Sequence, residues 1–126
     1  AKKNLSHQIR EIIMSQITTH ILDTSLGCPA TGVSIQLFQQ LDGDWQEVGS
    51  GRTNSDGRVP DLCPQGQVLD AGVYRMHFAI SEYFTANRSP VFYPWADVVF
   101  NIAEGGQHYH IPLLLSPFGY STYRGS

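Results

Sequence analysis

The stretch Ile17-Thr18-Thr19-His20-Ile21-Leu22-Asp23 decides the fold class. It is short, rich in β-branched side chains and followed by turn chemistry at Gly27-Cys28-Pro29, so it reads as a strand. The same grammar continues to the end of the chain, with runs of Ile, Val, Thr, Phe and Tyr separated by Asp42-Gly43-Asp44, Asp56-Gly57 and Gly105-Gly106. Strands are expected at residues 17–23, 33–39, 45–53, 73–80, 96–102, 107–115 and 119–124, with a weaker one after Arg58. Seven or eight short strands at this spacing predict a mostly β, two-sheet sandwich. One segment departs from the pattern. Ser81-Glu82-Tyr83-Phe84-Thr85-Ala86-Asn87-Arg88 opens with an N-cap type residue and stops before Pro90, which predicts one short helix.

Ahead of Ile17 the pattern is different. Leu5, Ile9, Ile12 and Ile13 fall at helical spacing, so residues 1–16 read as an N-terminal extension, either an amphipathic docking helix or a frayed segment. An isolated helix of that length is marginal in water. The domain proper is expected at residues 17–126.

The length of 126 residues suits a single domain with one core. A net charge of −3, from 8 basic and 11 acidic residues, gives no electrostatic footprint for phosphates, so nucleic acid is not an expected partner. Cys28 and Cys63 alone cannot build a structural zinc site and read as free thiols. No apolar run approaches the ~18 residues of a membrane-spanning helix. Lys2 and Lys3 are followed by polar residues rather than an apolar core, so no retained signal peptide is expected. A soluble protein follows, with the cytoplasm as the expected compartment and the periplasm and peroxisome left open.

Gly-x-Ser-x-Gly, His-Glu-x-x-His, Cys-x-x-Cys and Gly-rich phosphate loops are all missing from the sequence. What remains is histidine: His7, His20, His77, His108 and His110 have the intrinsic pKa that proton transfer near neutrality requires. In His108-Tyr109-His110, strand alternation turns both imidazoles to one face and Tyr109 to the other. That arrangement suits a metal, a proton relay or simply two half-exposed strand histidines. His20, by itself, reads as a structural histidine, and Arg58, closing the Asp56-Gly57 turn, as a solvated one. At the C-terminus, alternation sets Ser121 and Tyr123 on one face, and Tyr120, Thr122 and Arg124 on the other.

Several segments taken together resemble the transthyretin-related family, and within it the 5-hydroxyisourate hydrolases rather than the hormone carriers. These are Thr19-His20-Ile21-Leu22-Asp23-Thr24 with Gly27-x-Pro29-Ala30, Thr53-Asn54-x-Asp56-Gly57-Arg58, Gly72-x-Tyr74-Arg75, Phe92-Tyr93-Pro94, and His108-Tyr109-His110-x-Pro112-Leu113-Leu114-Leu115-Ser116. The terminal Tyr123-Arg124-Gly125-Ser126 is the most specific element, because the carriers do not end this way. At the places of His20, Arg58, His110 and Tyr123 the carrier branch has Lys, Glu and Thr-type residues.

The resemblance implies an eight-strand transthyretin-like sandwich with one short helix. It implies a homotetramer, a dimer of dimers, with active sites in a central channel. The implied reaction is hydrolysis of 5-hydroxyisourate to 2-oxo-4-hydroxy-4-carboxy-5-ureidoimidazoline in urate breakdown, with no cofactor and no metal. His20, Arg58 and His110 carry over as catalytic residues, and His20, Arg58, Tyr123 and Ser121 as substrate contacts. Arg124 is expected to face away and His108 to play a supporting part. Competing readings are a carrier of a small ligand in the same channel and a metal protein built on His-x-His.

Overall fold

The computed structural model describes residues 15–64 and 66–125. The apolar stripe from Leu5 to Ile13, and with it His7, lies outside them. Among the described residues the order is β1 (Ile17–Asp23), β2 (Cys28–Pro29), β3 (Ser34–Leu41), β4 (Asp44–Arg52), β5 (Gly72–Ala79), α1 (Ser81–Ala86), β6 (Ala96–Ile102), β7 (Tyr109–Ser116) and β8 (Gly119–Thr122). They form two four-stranded sheets, β2-β1-β7-β8 and β4-β3-β5-β6. The expected mostly β sandwich is the observed fold. None of the described helices is long and apolar enough to cross a membrane.

Period-two alternation sorts each strand between core and outer face. Along β1, Ile17, Thr19, Ile21 and Asp23 are buried while Thr18, His20 and Leu22 look outward and are half-buried. On β5 the inward set is Tyr74, Met76 and Phe78, all fully buried; on β3 it is Ile35 and Leu37. With Leu113 and Leu115 of β7 and Phe84 of α1 they fill the space between the sheets. Each such side chain stabilises the fold by roughly 1.5–3 kcal/mol through apolar burial.

Two local expectations are corrected. Among the described residues between Arg58 and β5 no strand forms, and Arg58 makes only an isolated bridge to His20; Pro60 lacks a backbone donor, and Val59, Leu62 and Cys63 turn into the core. The helix spans Ser81–Ala86 rather than residues 81–88, and Ile80, not Ser81, is its N-cap. The Ser81 hydroxyl instead donates to the Pro94 carbonyl at 2.6 Å. The packed interior also takes in two residues ahead of Ile17. Ser15 and Gln16 are buried, and Gln16 stitches two loops together, donating from Nε2 to the Gln107 carbonyl and accepting at Oε1 from Leu69 N–H.

Both cysteines are free thiols; Cys28 is exposed and Cys63 buried. Burial pushes the Cys63 thiol above its ordinary range, so it is poorly reactive at neutral pH.

Asp23 closes β1 with its carboxylate inside the protein. Tyr83 of α1 donates to its Oδ2 at 2.6 Å. Ser25 N–H, the Ser25 hydroxyl and Leu26 N–H all donate to Oδ1. Burial alone would raise the Asp23 pKa, but these hydrogen bonds outweigh it and hold the carboxyl below its usual value. Tyr83→Phe should therefore lower stability by ~1.5–3 kcal/mol, the range for a hydrogen bond to a charged group, as read by urea unfolding at neutral pH. An unchanged midpoint would mean that the remaining donors satisfy Asp23 without Tyr83.

Candidate active site

The outer face of the first sheet carries the chemistry, and its register decides which side chains meet. β1 runs parallel to β7, with Thr18 opposite His110, His20 opposite Pro112 and Leu22 opposite Leu114. On the other side of β7, Leu114 faces Ser121 of β8, and the chain beyond β8 returns to make an isolated bridge between His110 and Gly125. The registers on either side set the backbone of Tyr123, midway between Ser121 and Gly125, beside that of Pro112. The outer face is thus ruled in three rows: Thr18, His110 and Gly125; His20, Pro112 and Tyr123; Leu22, Leu114 and Ser121.

Arg58 reaches this face through a turn rather than a strand. Ile21 N–H donates to the Gly57 carbonyl at 2.9 Å, and Arg58 bridges to His20. Gly57 has φ +74, and a Cβ there would lie 2.5 Å from the Ile21 carbonyl oxygen, so only glycine lets the turn lie against β1. The Asn54 side chain locks the loop by accepting from Asp56 N–H and Arg58 N–H. Thr53 ties its root to the core, donating to the Ala30 carbonyl and accepting from Val33 N–H. The Thr-Asn-x-Asp-Gly-Arg motif is therefore a device that sets Arg58 beside His20.

His110 is held from two sides. Gly125 N–H donates to its carbonyl at 2.8 Å, and a Cβ on Gly125 would come within 2.5 Å of ring atom Cδ2, so the imidazole lies against a residue that has no side chain. Thr18 Oγ1 is 2.8 Å from His110 Nδ1 and 2.9 Å from His108 Nε2. Partial burial, then the charges of Arg58, His108 and His20, lower the His110 pKa below the ordinary imidazole value of 6.5. The ring is neutral at pH 7 and can accept a proton. This cluster of one guanidinium and two imidazoles can stabilise a developing oxyanion and move protons to and from a bound molecule.

His20, Arg58 and His110 are accordingly brought together. Tyr123 shares a row with His20, and Ser121 lies one row further on. His108 precedes β7 instead of lying within it, yet it joins His110 through Thr18. His77 does not take part: it belongs to β5 in the other sheet, where its Nδ1 is 2.7 Å from Asp97. Among the described residues, no three His, Cys, Asp or Glu side chains gather as a metal site would require. A separate cleft of ≈ 250 Å³ opens between β6 and β7, bordered by Val99, Tyr109, Tyr123 and Arg124 but by none of His20, Arg58 and His110. The Arg124 guanidinium lies over the Tyr109 ring at 4.5 Å, on the side away from the histidines. Thr18 was not visible as a functional residue in the sequence, because a threonine in a strand carries no local signal.

Residues 17–125 match the profile of the HIUase/Transthyretin family. The chain belongs to this family. Among curated members, the 5-hydroxyisourate hydrolase of Salmonella typhimurium is 43% identical over 110 residues, covering 87% of this chain and 80% of the relative. The mouse 5-hydroxyisourate hydrolase is 42% identical over 115 residues, 89% of this chain and 96% of its own. Of solved structures in the HIUase/Transthyretin family, sea bream transthyretin in complex with thyroxine superposes with a TM-score of 0.82 at 37% identity, covering 88% of this chain and 95% of that one. Klebsiella pneumoniae 5-hydroxyisourate hydrolase gives 0.76 at 34% identity, with 87% and 97% covered. Both a thyroxine-bound transthyretin and a 5-hydroxyisourate hydrolase share this backbone, so the fold alone does not separate the two.

Proposed function

We propose that this chain is a 5-hydroxyisourate hydrolase. The observation that carries the reading is the convergence of His20, Arg58 and His110 on one sheet face, in a chain whose curated relatives are named for that activity. The substrate is small and polar, and opening its ring needs a general base, a proton donor and a fixed positive charge. His110 takes a proton from water as the water oxygen bonds to the ring carbonyl carbon. Arg58 offers its planar donor fork to the oxygen that gains charge. As the carbon–nitrogen bond breaks, His20 gives a proton to the departing nitrogen, leaving the ureidoimidazoline carboxylate. Tyr123 and Ser121 orient the substrate. A carrier reading fits this face less well, since two imidazoles and a guanidinium make a polar rather than an apolar lining.

The acting unit is proposed to be a homotetramer, a dimer of dimers, with 5-hydroxyisourate as its small-molecule partner. Support comes from the site lying on an open sheet face rather than in an enclosed cavity, so a second layer is needed to exclude water. The test is the decay of 5-hydroxyisourate, generated in place from urate by urate oxidase, with and without this protein. Strong acceleration is expected, unchanged by EDTA, from a species that light scattering sizes as a tetramer. A spontaneous rate of decay would refute the reading. Activity lost with EDTA and restored by zinc would replace it with the His-x-His metal reading, and a fully active monomer would remove the tetramer.

A further inference from the structure

Thr18 stands between two imidazoles with a single hydroxyl proton to give. Each neutral ring presents either an N–H or a lone pair at the nitrogen facing Thr18. The hydroxyl can satisfy both rings fully in only one way, accepting from one N–H and donating to the other ring's lone pair. The tautomers of His108 and His110 are therefore linked through Oγ1, at 2.9 and 2.8 Å. If the hydroxyl proton points to His108 Nε2, His110 carries its proton on Nδ1 and leaves Nε2 free to act as a base. If the proton points to His110 Nδ1, His110 carries its proton on Nε2 and can only donate there.

Polar side chains across neighbouring strands often pair without further purpose. Two observations argue for more. The adjacent Thr19 spends its hydroxyl on the Ile111 backbone carbonyl, whereas the partners of Thr18 are two ring nitrogens. The His110 ring also packs so near Gly125 that a Cβ there would meet ring atom Cδ2 at 2.5 Å, which limits its freedom on that side. The Arg58 guanidinium, carried by the turn, adds to partial burial in favouring the uncharged His110 ring, so the working form is a neutral ring whose tautomer matters.

We infer that Thr18 is a positioning residue: it accepts from His110 Nδ1–H and donates to His108 Nε2, and thereby holds His110 in the tautomer whose Nε2 lone pair faces the attacking water. This rests on the role given to His110 above. Solvent-exposed His108 then acts as the acceptor that keeps the Thr18 hydroxyl pointing away from His110.

The test uses the full chain labelled with 15N-histidine, with Thr18→Val, Thr18→Ser and His108→Ala variants. In the wild type, ring 15N shifts should report His110 as the Nδ1–H tautomer. Thr18→Val and His108→Ala should both move it toward the Nε2–H form, and Thr18→Ser should leave it unchanged. Turnover should follow, with kcat down roughly tenfold or more in Thr18→Val, little change in KM, and recovery in Thr18→Ser, as expected when a catalytic histidine is left in the wrong tautomer. The acid limb of the pH profile should shift to lower pH in Thr18→Val, because the imidazolium loses the acceptor for its Nδ1–H. Should Thr18→Val fail to fold, His108→Ala carries the same test from the surface. A wild-type His110 in the Nε2–H form, or a folded variant of either kind with native tautomer and native kcat, overturns the inference. The spectra need no substrate, so a failure of the hydrolase reading, seen as absence of turnover in the wild type, is distinguishable from a failure of the Thr18 linkage.

Discussion

His110→Ala is expected to lower kcat/KM for 5-hydroxyisourate by roughly 10²-fold or more, the usual consequence of removing a proton-transfer group. Arg58→Glu and His20→Ala should fall in the same range through loss of a charge stabiliser and a proton donor. All three side chains lie on the outer face, so their removal opens no void between the sheets, and the backbone links that shape the site, Gly125 N–H to the His110 carbonyl and Ile21 N–H to the Gly57 carbonyl, remain available. The pH dependence has a definite sign. Because the His110 pKa is lowered below 6.5, the base form persists into mildly acid solution, and activity should fall only as pH drops through that lowered value. Steady-state kinetics with circular dichroism and light scattering on each variant check this. Near-normal turnover by a folded, tetrameric variant would strike that residue from the mechanism.

The second large effect is expected from removing residues 123–126. β8 ends at Thr122, so the deletion leaves the hydrogen-bonded sheet and the core in place. It removes the Gly125 N–H that holds the His110 carbonyl and the surface against which the imidazole lies. It also removes Tyr123 from the row it shares with His20. A reacting group displaced by about 1 Å can lose 10²-fold in rate, so most activity should disappear while the circular dichroism spectrum stays native. Tyr123→Phe separates the hydroxyl from the ring. Native-like turnover by the folded truncation would mean that the tail has no part in the chemistry.

Much of this was legible in the sequence, and the limits are physical. The spacing of His108 and His110 correctly put them near each other, because that is a local consequence of a two-residue period, whereas His20, which by itself reads as a structural histidine, lies half-buried on the outer face. Asp56-Gly57 announced its turn through the positive φ that Gly57 adopts. By contrast, the parallel pairing that sets His20 near His110 joins residues about 90 positions apart, and nothing in residue spacing declares a partner that distant. Only the likeness of whole motifs to the transthyretin-related family brought those residues together. Ser81 misled because its hydroxyl has a competing acceptor in Pro94, and the stretch after Arg58 misled because its β-type residues are drawn into the core instead of a ladder. Thr18 escaped notice since its meaning comes from the opposite strand.

That parallel pairing of β1 with β7 also sets an order of events in time. β3, β4, β5 and β6 pair antiparallel with neighbours much closer in sequence than β1 is to β7, from the tight β3–β4 hairpin outward, so the second sheet can condense earlier. The contact between Thr18 and His110 must instead close a loop of 92 residues, and loop-closure entropy makes such contacts slow to form. During refolding the chain would possess much of its secondary structure before its first strand finds the seventh. Regain of enzymatic activity should therefore lag behind the recovery of β signal, and the part of that delay that does not change with protein concentration would measure the arrival of β1.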